Sequence, residues 1–287
     1  MRSFQPRVLT ELIRIKISLS VTLSAFAAGV LASGSISLKS IFPLTAIFLL
    51  ACGASALNQV QEKDQDAKMN RTKNRPLPAS HISVHQAIWV AALLFLAGFG
   101  ILISGLYTVC VILGVINILW YNGFYTWLKK KTAFAVVPGA LSGVIPVFMG
   151  WSAAGGSLTD RPALLLALFL FIWQIPHFWL LMLKYGDEYR AAGFPVMTDT
   201  FSGPQFRNII MAWMTCATGT SLMLVYSGFW LHYIPILIIL TANLLILVLY
   251  FSQLYFVRKP RYNILFITMN VFLMLVLSLI ILEKTFL

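Results

Sequence analysis

Asn58, Glu62 and Asp66 recur at intervals of four, so on a helix they form one stripe of oxygen atoms. Asp64 lies just off that stripe, and Lys63, Lys68, Arg71, Lys73 and Arg75 interleave with it or follow it. Hard cations such as Mg²⁺ bind carboxylate oxygens together with the oxygens of a bound phosphate. Arg and Lys clamp phosphate oxygens directly. Acid ligands beside cationic clamps are what a metal–diphosphate site needs. The bland alternative is a solvated loop of mixed charge. Asn58 argues against it by carrying the stripe back into an apolar segment, where polar groups are costly. An ion pathway would explain the acids but not five adjacent cations.

Asp187 and Glu188 repeat the arrangement beside Lys184 and Arg190. They suggest a second metal facing the same diphosphate, or a salt-bridge cluster at a helix end. In Trp173-Gln174-Ile175-Pro176-His177-Phe178-Trp179, six residues separate His177 from the first charge at Lys184. That puts His177 about 9 Å inside the helix end. Two readings stand: a ligand, for which haem iron is a standard partner, or a histidine bonded to a neighbouring helix. Pro176 predicts a kink there. Tyr121 and Tyr125 are one helical turn apart, and electron-rich rings stabilise a cation facing them. Their stretch, from Trp120 to Lys129, Lys130 and Lys131, also reads as an aromatic belt with a basic stop. His81 and His85 read as surface residues, and His232 as an interface residue at the opposite end.

The elements that must position these groups follow from composition. Hydrophobic residues make up 59% and charged residues 10% of 287 residues, and mean hydropathy is +0.85. A soluble enzyme, a nucleic-acid-binding domain and a disordered tail are excluded. Seven stretches lack Asp, Glu, Lys and Arg: 17–38, 40–61, 76–128, 132–159, 162–183, 208–257 and 262–282. A spanning helix needs about 20 apolar residues. Five stretches hold one helix each, and 76–128 and 208–257 hold two each, turning near Ser104-Gly105 and between Ser227 and Pro235. The expected fold is therefore all-α: a polytopic membrane protein with nine transmembrane helices in one bundle and a single domain over 1–287.

Charge gives the orientation. Nine alternating spans put 18 of 21 Lys and Arg on the side of the N-terminus, leaving Lys39, Arg161 and Lys284 opposite. Basic residues crowd the cytoplasmic side, so the N-terminus is expected to be cytoplasmic. The segment 1–13 and the two long loops, 62–82 and 184–207, lie on that side with seven of nine acids. The net charge of +12 needs no nucleic acid. The basic N-terminus leads into an apolar run without a small-residue cleavage site, so it reads as an uncleaved first span. No Arg/Ser-rich transit segment is evident, which favours a bacterial plasma membrane over a mitochondrion. Cys52, Cys110 and Cys216 each lie in an apolar run and read as small buried hydrophobes.

These pieces together resemble the UbiA superfamily of intramembrane prenyltransferases, with nine spans and acidic motifs on loops 2–3 and 6–7. The first family motif, Asn-x3-Asp-x3-Asp, reads here Asn58, Glu62, Asp66, with Glu in the middle place. More specific is Asp64-x-Asp66-x-Lys68-Met69-x-Arg71-Thr72-Lys73-Asn74-Arg75-Pro76, which resembles the haem-farnesylating branch. So do Tyr125-Thr126-x-Leu128-Lys129, Gly150-Trp151-x-Ala153, the Trp173–Trp179 stretch and Tyr189-x-Ala191-Ala192-Gly193-x-Pro195-x-Met197. The second motif keeps only two acids, Asp187 and Glu188, as that branch does.

The resemblance implies farnesyl transfer from farnesyl diphosphate to a vinyl group of haem B, with addition of water, giving haem O for terminal oxidases. It implies Mg²⁺ as cofactor, held by Asn58, Glu62, Asp64, Asp66, Asp187 and Glu188. It implies Arg71, Lys73 and Arg75 as catalytic neutralisers of the departing diphosphate. Lys68, Tyr121, Tyr125, Lys129, Trp173, His177 and Arg190 are the expected substrate contacts. Beyond the lipid bilayer, haem A synthase or terminal-oxidase subunits are the implied partners. Two alternatives stand beside this: prenylation of an aromatic quinone precursor by the same chemistry, and a non-catalytic transporter or oxidase-assembly factor. Acids confined to one membrane face argue against the transporter.

Overall fold

The structure is a computed structural model that describes residues 6–228 and 230–286; the first five residues of the N-terminal segment lie outside the described residues. Lipid offers backbone N–H and C=O groups no partners, so a chain this apolar must satisfy them within helices. A short α1 (Pro6–Leu12) precedes α2 (Ile15–Ser33). Next come α3 (Ile41–Gln61) and a six-residue α4 (Lys63–Lys68). Helices α5 (Val84–Ser104), α6 (Thr108–Leu128) and α7 (Ala133–Ala153) follow. The second half holds α8 (Arg161–Ala191), α9 (Gly203–Val225), α10 (Tyr233–Phe256) and α11 (Tyr262–Thr285). Among the described residues nine helices are long and apolar enough to cross a membrane, all but α1 and α4, and there is no strand.

Consecutive helices pack against one another, and α2 closes the bundle by touching α3, α7, α8 and α11. One large buried cluster, including Phe169, Trp173, Trp179 and Met269, joins α2 to α7–α11. A smaller one around Leu50, Leu102 and Met149 joins α2, α3, α5, α6 and α7. Leu93 and Leu96 on α5, Leu244 and Leu245 on α10, and Ile267 and Val271 on α11 are exposed. Apolar side chains turned outward this way suit a lipid environment.

Among the described glycines, the closest approach of two helix backbones is at the α2–α7 crossing. A Cβ at Gly150 would overlap the backbone carbonyl of Ala25, and Gly29 faces Gly150 from α2. Small residues let helix backbones approach closely where lipid supplies no hydrophobic drive. Gly150→Leu must push a backbone aside, not a side chain, and overpacking of that kind costs about 1–3 kcal/mol or more. The detergent-solubilised variant is expected to melt several degrees lower; an unchanged midpoint would mean that the two backbones do not meet there.

Three sequence expectations change. Helix α8 does not stop before Lys184 but continues to Ala191, so Asp187, Glu188 and Arg190 stand on a helix and not in a loop. Its only non-helical backbone angles are at Tyr185 (φ −119°, ψ 21°), while Pro176 sits within regular helix. The break thus comes where the apolar run gives way to charge. Cys216 is exposed on the outer side of α9, whereas Cys52 and Cys110 are buried as expected.

Candidate active site

The acidic stripe holds its register through the end of α3. Glu62 N–H donates to the Asn58 carbonyl at 3.0 Å and Asp66 N–H to the Glu62 carbonyl at 2.8 Å, although Glu62 itself departs from helical angles. Asn58, Glu62 and Asp66 are all buried. Asp64 instead projects into solvent from α4.

Each buried member has a defined partner. The Thr126 hydroxyl donates to the Tyr121 carbonyl at 2.8 Å, so it can only accept from the Asn58 amide, whose Nδ2 lies 3.1 Å away. That fixes the amide orientation and leaves Asn58 Oδ1 enclosed without a partner. Lys129 pairs with Glu62 while its Nζ stands 5.0 Å from the Tyr125 ring centre. Arg75 spans both oxygens of Asp66, at 2.7 and 2.6 Å.

The aromatic wall stands on a local defect. Residues Leu119–Tyr125 of α6 wind as a π-helix, the kind of irregularity that concentrates at functional sites. Tyr121 and Tyr125 stack there with ring centres 5.8 Å apart. Asn122 ties the defect to α3 by donating to the Ala54 carbonyl and to Gln61 Oε1. Gln61 returns a bond to the Asn122 carbonyl at 2.8 Å.

The two long connections meet over this cluster. Met69 packs with Ala192 and Phe194. Arg71 N–H donates to Glu188 Oε2 at 3.0 Å, and its guanidinium donates to the Tyr189 hydroxyl at 3.1 Å while lying 5.2 Å from the Tyr185 ring centre. Helix α8 can turn back here because Gly193 takes φ +84°, a conformation that disfavours any residue with a Cβ.

One site residue was invisible in the motifs. Arg14 joins α1 to α2 with a left-handed backbone, φ 46°, a cost of about 1–3 kcal/mol that persists only when surroundings demand it. Gln59 helps hold it by donating to the Glu11 and Leu12 carbonyls at the end of α1, both at 2.8 Å. The Arg14 side chain turns into the cluster beside Tyr121, its Nε enclosed and unpartnered. Burial opposes its charge, but Tyr121, Glu62, Asp66 and Tyr189 outweigh that and hold its pKa above the ordinary value. For Arg75, burial and then the nearby Arg14 press the pKa down, against the pull of Asp66. Three arginines so close repel one another, which is an arrangement made for a polyanion.

Other predicted residues lie apart. Lys68 and Lys73 are exposed at the rim, with Lys73 bonded to Asn70 at 2.8 Å. Asp187 is fully exposed and pairs with Arg190, which also binds Asp199 at 2.6 Å, the salt-bridge arrangement. Among the described residues no three His, Cys, Asp or Glu side chains converge as a metal cluster. Two buried carboxylates, the free Asn58 oxygen and phosphate oxygens nonetheless match the donor set that Mg²⁺ takes beside a phosphorylated substrate. His177 and Trp173 sit deeper, between α8 and α11. The Trp173 indole donates to the Met269 carbonyl at 2.9 Å, and His177 lies between the Trp173 and Phe266 rings, at 4.7 and 4.6 Å.

Comparison with known proteins places this geometry. The model of the UbiA prenyltransferase family matches residues 18–278. The protoheme IX farnesyltransferase of Geobacter sulfurreducens is 37% identical over 205 residues, covering 68% of this chain and 75% of that protein. Its counterpart in Nitratidesulfovibrio vulgaris (strain Hildenborough) is 32% identical over 252 residues, covering 87% of this chain and 86% of that one. The solved structure of a UbiA homologue from Archaeoglobus fulgidus bound to GPP and Mg²⁺ superposes with a TM-score of 0.69 at 13% identity, over 95% of this chain and 99% of that one.

Proposed function

This chain belongs to the UbiA prenyltransferase family, and from that premise we propose that it converts haem B to haem O with farnesyl diphosphate. The observation that carries the reading is the convergence of Arg14, Arg71 and Arg75 on the buried Asn58–Glu62–Asp66 stripe, in a chain whose curated relatives are protoheme IX farnesyltransferases. Those cations receive the diphosphate. Asn58, Glu62 and Asp66 would hold a divalent cation, Mg²⁺ by their chemistry, which supplies Lewis-acid stabilisation to the leaving group.

The chemistry needs the C1–O bond of farnesyl diphosphate to break, its electron pair leaving with diphosphate. Arg14, Arg71 and Arg75 stabilise the charge that develops on that oxygen, the place where preorganised donors count most. The stacked Tyr121 and Tyr125 rings face the allylic cation. A haem vinyl carbon adds to C1, and the positive charge moves to the vinyl carbon beside the pyrrole. Water adds there and loses a proton, giving the hydroxyethylfarnesyl group. The sum is haem B, farnesyl diphosphate and water to haem O and diphosphate.

The whole chain, 1–287, serves as one domain in a multi-pass arrangement. Its basic end, with the site, faces the cytoplasm by the distribution of Lys and Arg, and haem O leaves for terminal oxidases directly or by way of haem A synthase. Pigment analysis of a haem-O-deficient bacterial strain carrying this chain tests the reading. Haem O should reappear. A prenylated aromatic acid in its place would move the acceptor to a quinone precursor, and no prenylated product at all would end the enzymatic reading.

A further inference from the structure

A second charged cleft lies beside the arginine cluster and has no part in the steps above. It opens between the C-terminal part of α8 and the start of α11, has a volume of about 540 Å³ and is lined by Leu183, Lys184, Arg261, Tyr262, Asn263 and Ile264. Lys184 and Arg261 are both exposed, and neither forms an ion pair among the described residues. The nearest acids on α8 are engaged elsewhere, Asp187 with Arg190 and Glu188 with the Arg71 backbone. The cleft therefore offers an anion two cations that have no acidic partner among the described residues.

His177 is set back from this pair. It lies seven residues before Lys184, two turns and about 10 Å along the same face of α8. Phe266, which flanks its ring, lies five residues after Arg261, about 8 Å along α11. His177 is half-buried with Nδ1 enclosed and unpartnered, so the open edge of its ring is Nε2. The cleft also adjoins the diphosphate site through one shared ring. Tyr185 has Lys184 Nζ 4.7 Å from its centre and Arg71 Cζ at 5.2 Å.

We infer that this cleft holds the two carboxylates of the acceptor on Lys184 and Arg261, with His177 Nε2 ligating the acceptor iron; the inference rests on the acceptor being haem B. A porphyrin carries its iron at the centre and both carboxylates on one edge. An imidazole between aromatic walls, set inward from two cations without acidic partners, is complementary to that layout. Charge-assisted bonds at the cations fix the edge, and the flat apolar body lies among Trp173, Phe178 and Phe266. Both anionic groups of the reaction then share one polar end of the bundle, and both apolar bodies extend inward. The same cations would also attract the phosphate of an anionic lipid headgroup, so the test separates the two sources.

The full chain in nanodiscs is titrated with haem B and with its dimethyl ester, in neutral and in anionic lipid, by Soret absorbance. Electron paramagnetic resonance reads the iron ligands, and calorimetry reads farnesyl diphosphate binding. Lys184→Gln with Arg261→Gln is expected to weaken haem B about tenfold or more and to leave the ester unaffected. The wild type should bind the ester as weakly as the double variant binds haem B. His177→Ala should change the ligand-field signature, and farnesyl diphosphate should bind all variants as it binds wild type. Equal haem affinity in wild type and double variant, or an unchanged iron spectrum in His177→Ala, overturns the inference. An effect of the cations that vanishes in neutral lipid assigns them to headgroups and also overturns it. If wild type makes haem O while those results fail, only this assignment falls; if wild type neither binds haem nor makes haem O, the functional reading falls with it.

Discussion

Asp66→Asn is expected to cut haem O formation by about two to three orders of magnitude, the loss typical when one preorganised charge-stabilising group is removed from a transition state. Asp66 is enclosed, with 2% of its side chain exposed, and both its oxygens are held by Arg75. The substitution keeps the shape and removes the charge. It takes away one of two carboxylates in the proposed metal set and the counter-charge of Arg75 at once. Breaking a buried ion pair from one side costs about 3–5 kcal/mol, and Asn retains one acceptor, so part of that is spared. Pigment extracts of membranes matched for protein level by immunoblot give the readout. Unchanged haem O at equal protein level would remove Asp66 from the chemistry.

Arg14→Gln has the second large expected effect: a fall of about 10²-fold in kcat/KM for farnesyl diphosphate, with weaker inhibition by inorganic diphosphate. Arg14 sits among Tyr121, Glu62, Asp66 and Tyr189 with its Nε unpartnered. Its left-handed backbone is retained at a cost that a purely topological positive charge would not require. Arg14→Lys should recover only part of the loss, because an ammonium lacks the planar fork. Steady-state kinetics on purified enzyme, with diphosphate as inhibitor, distinguish this from misfolding. Equal diphosphate inhibition in wild type and Arg14→Gln would return Arg14 to a structural role.

The spans were legible because each is a long charge-free run bounded by charged residues or by Gly, Ser or Pro. Helices α5 and α10 begin and end close to the expected turns, α5 at Ser104 and α10 at Tyr233. The stripe at Asn58, Glu62 and Asp66 was legible because a period of four survives the departure of Glu62 from helical angles. Arg14 was not legible, because a cation at the start of a first span looks like an ordinary topology signal, and its inward turn depends on tertiary contacts such as those of Gln59 with the end of α1. The end of α8 was misjudged because apolarity stops at Leu183 while helical hydrogen bonding runs on to Ala191. Trp173 and His177 were legible as a pair, and their rings do stack while the Trp173 indole N–H bonds the Met269 carbonyl. Cys216 illustrates a limit of composition: in lipid, an apolar run does not say which of its faces turns inward.

The π-helical turn in α6 has a consequence for how this site can vary. A π-turn closes its hydrogen bonds one residue later than an α-turn, so it inserts one residue of phase into an otherwise regular screw. Each residue of an α-helix advances the side-chain direction by about 100°. Everything after Leu119–Tyr125, including Thr126 and Lys129, is therefore rotated by that increment relative to the helix before it. Winding the same residues as regular α-helix would turn Thr126 away from Asn58 and Lys129 away from Glu62, whereas deleting one residue from the turn would give a regular helix with both still in place. The turn works as a vernier: the first half of α6 can keep its grip on α5 and α7 while the second half keeps its own angular setting toward α3, and neither has to be compromised for the other.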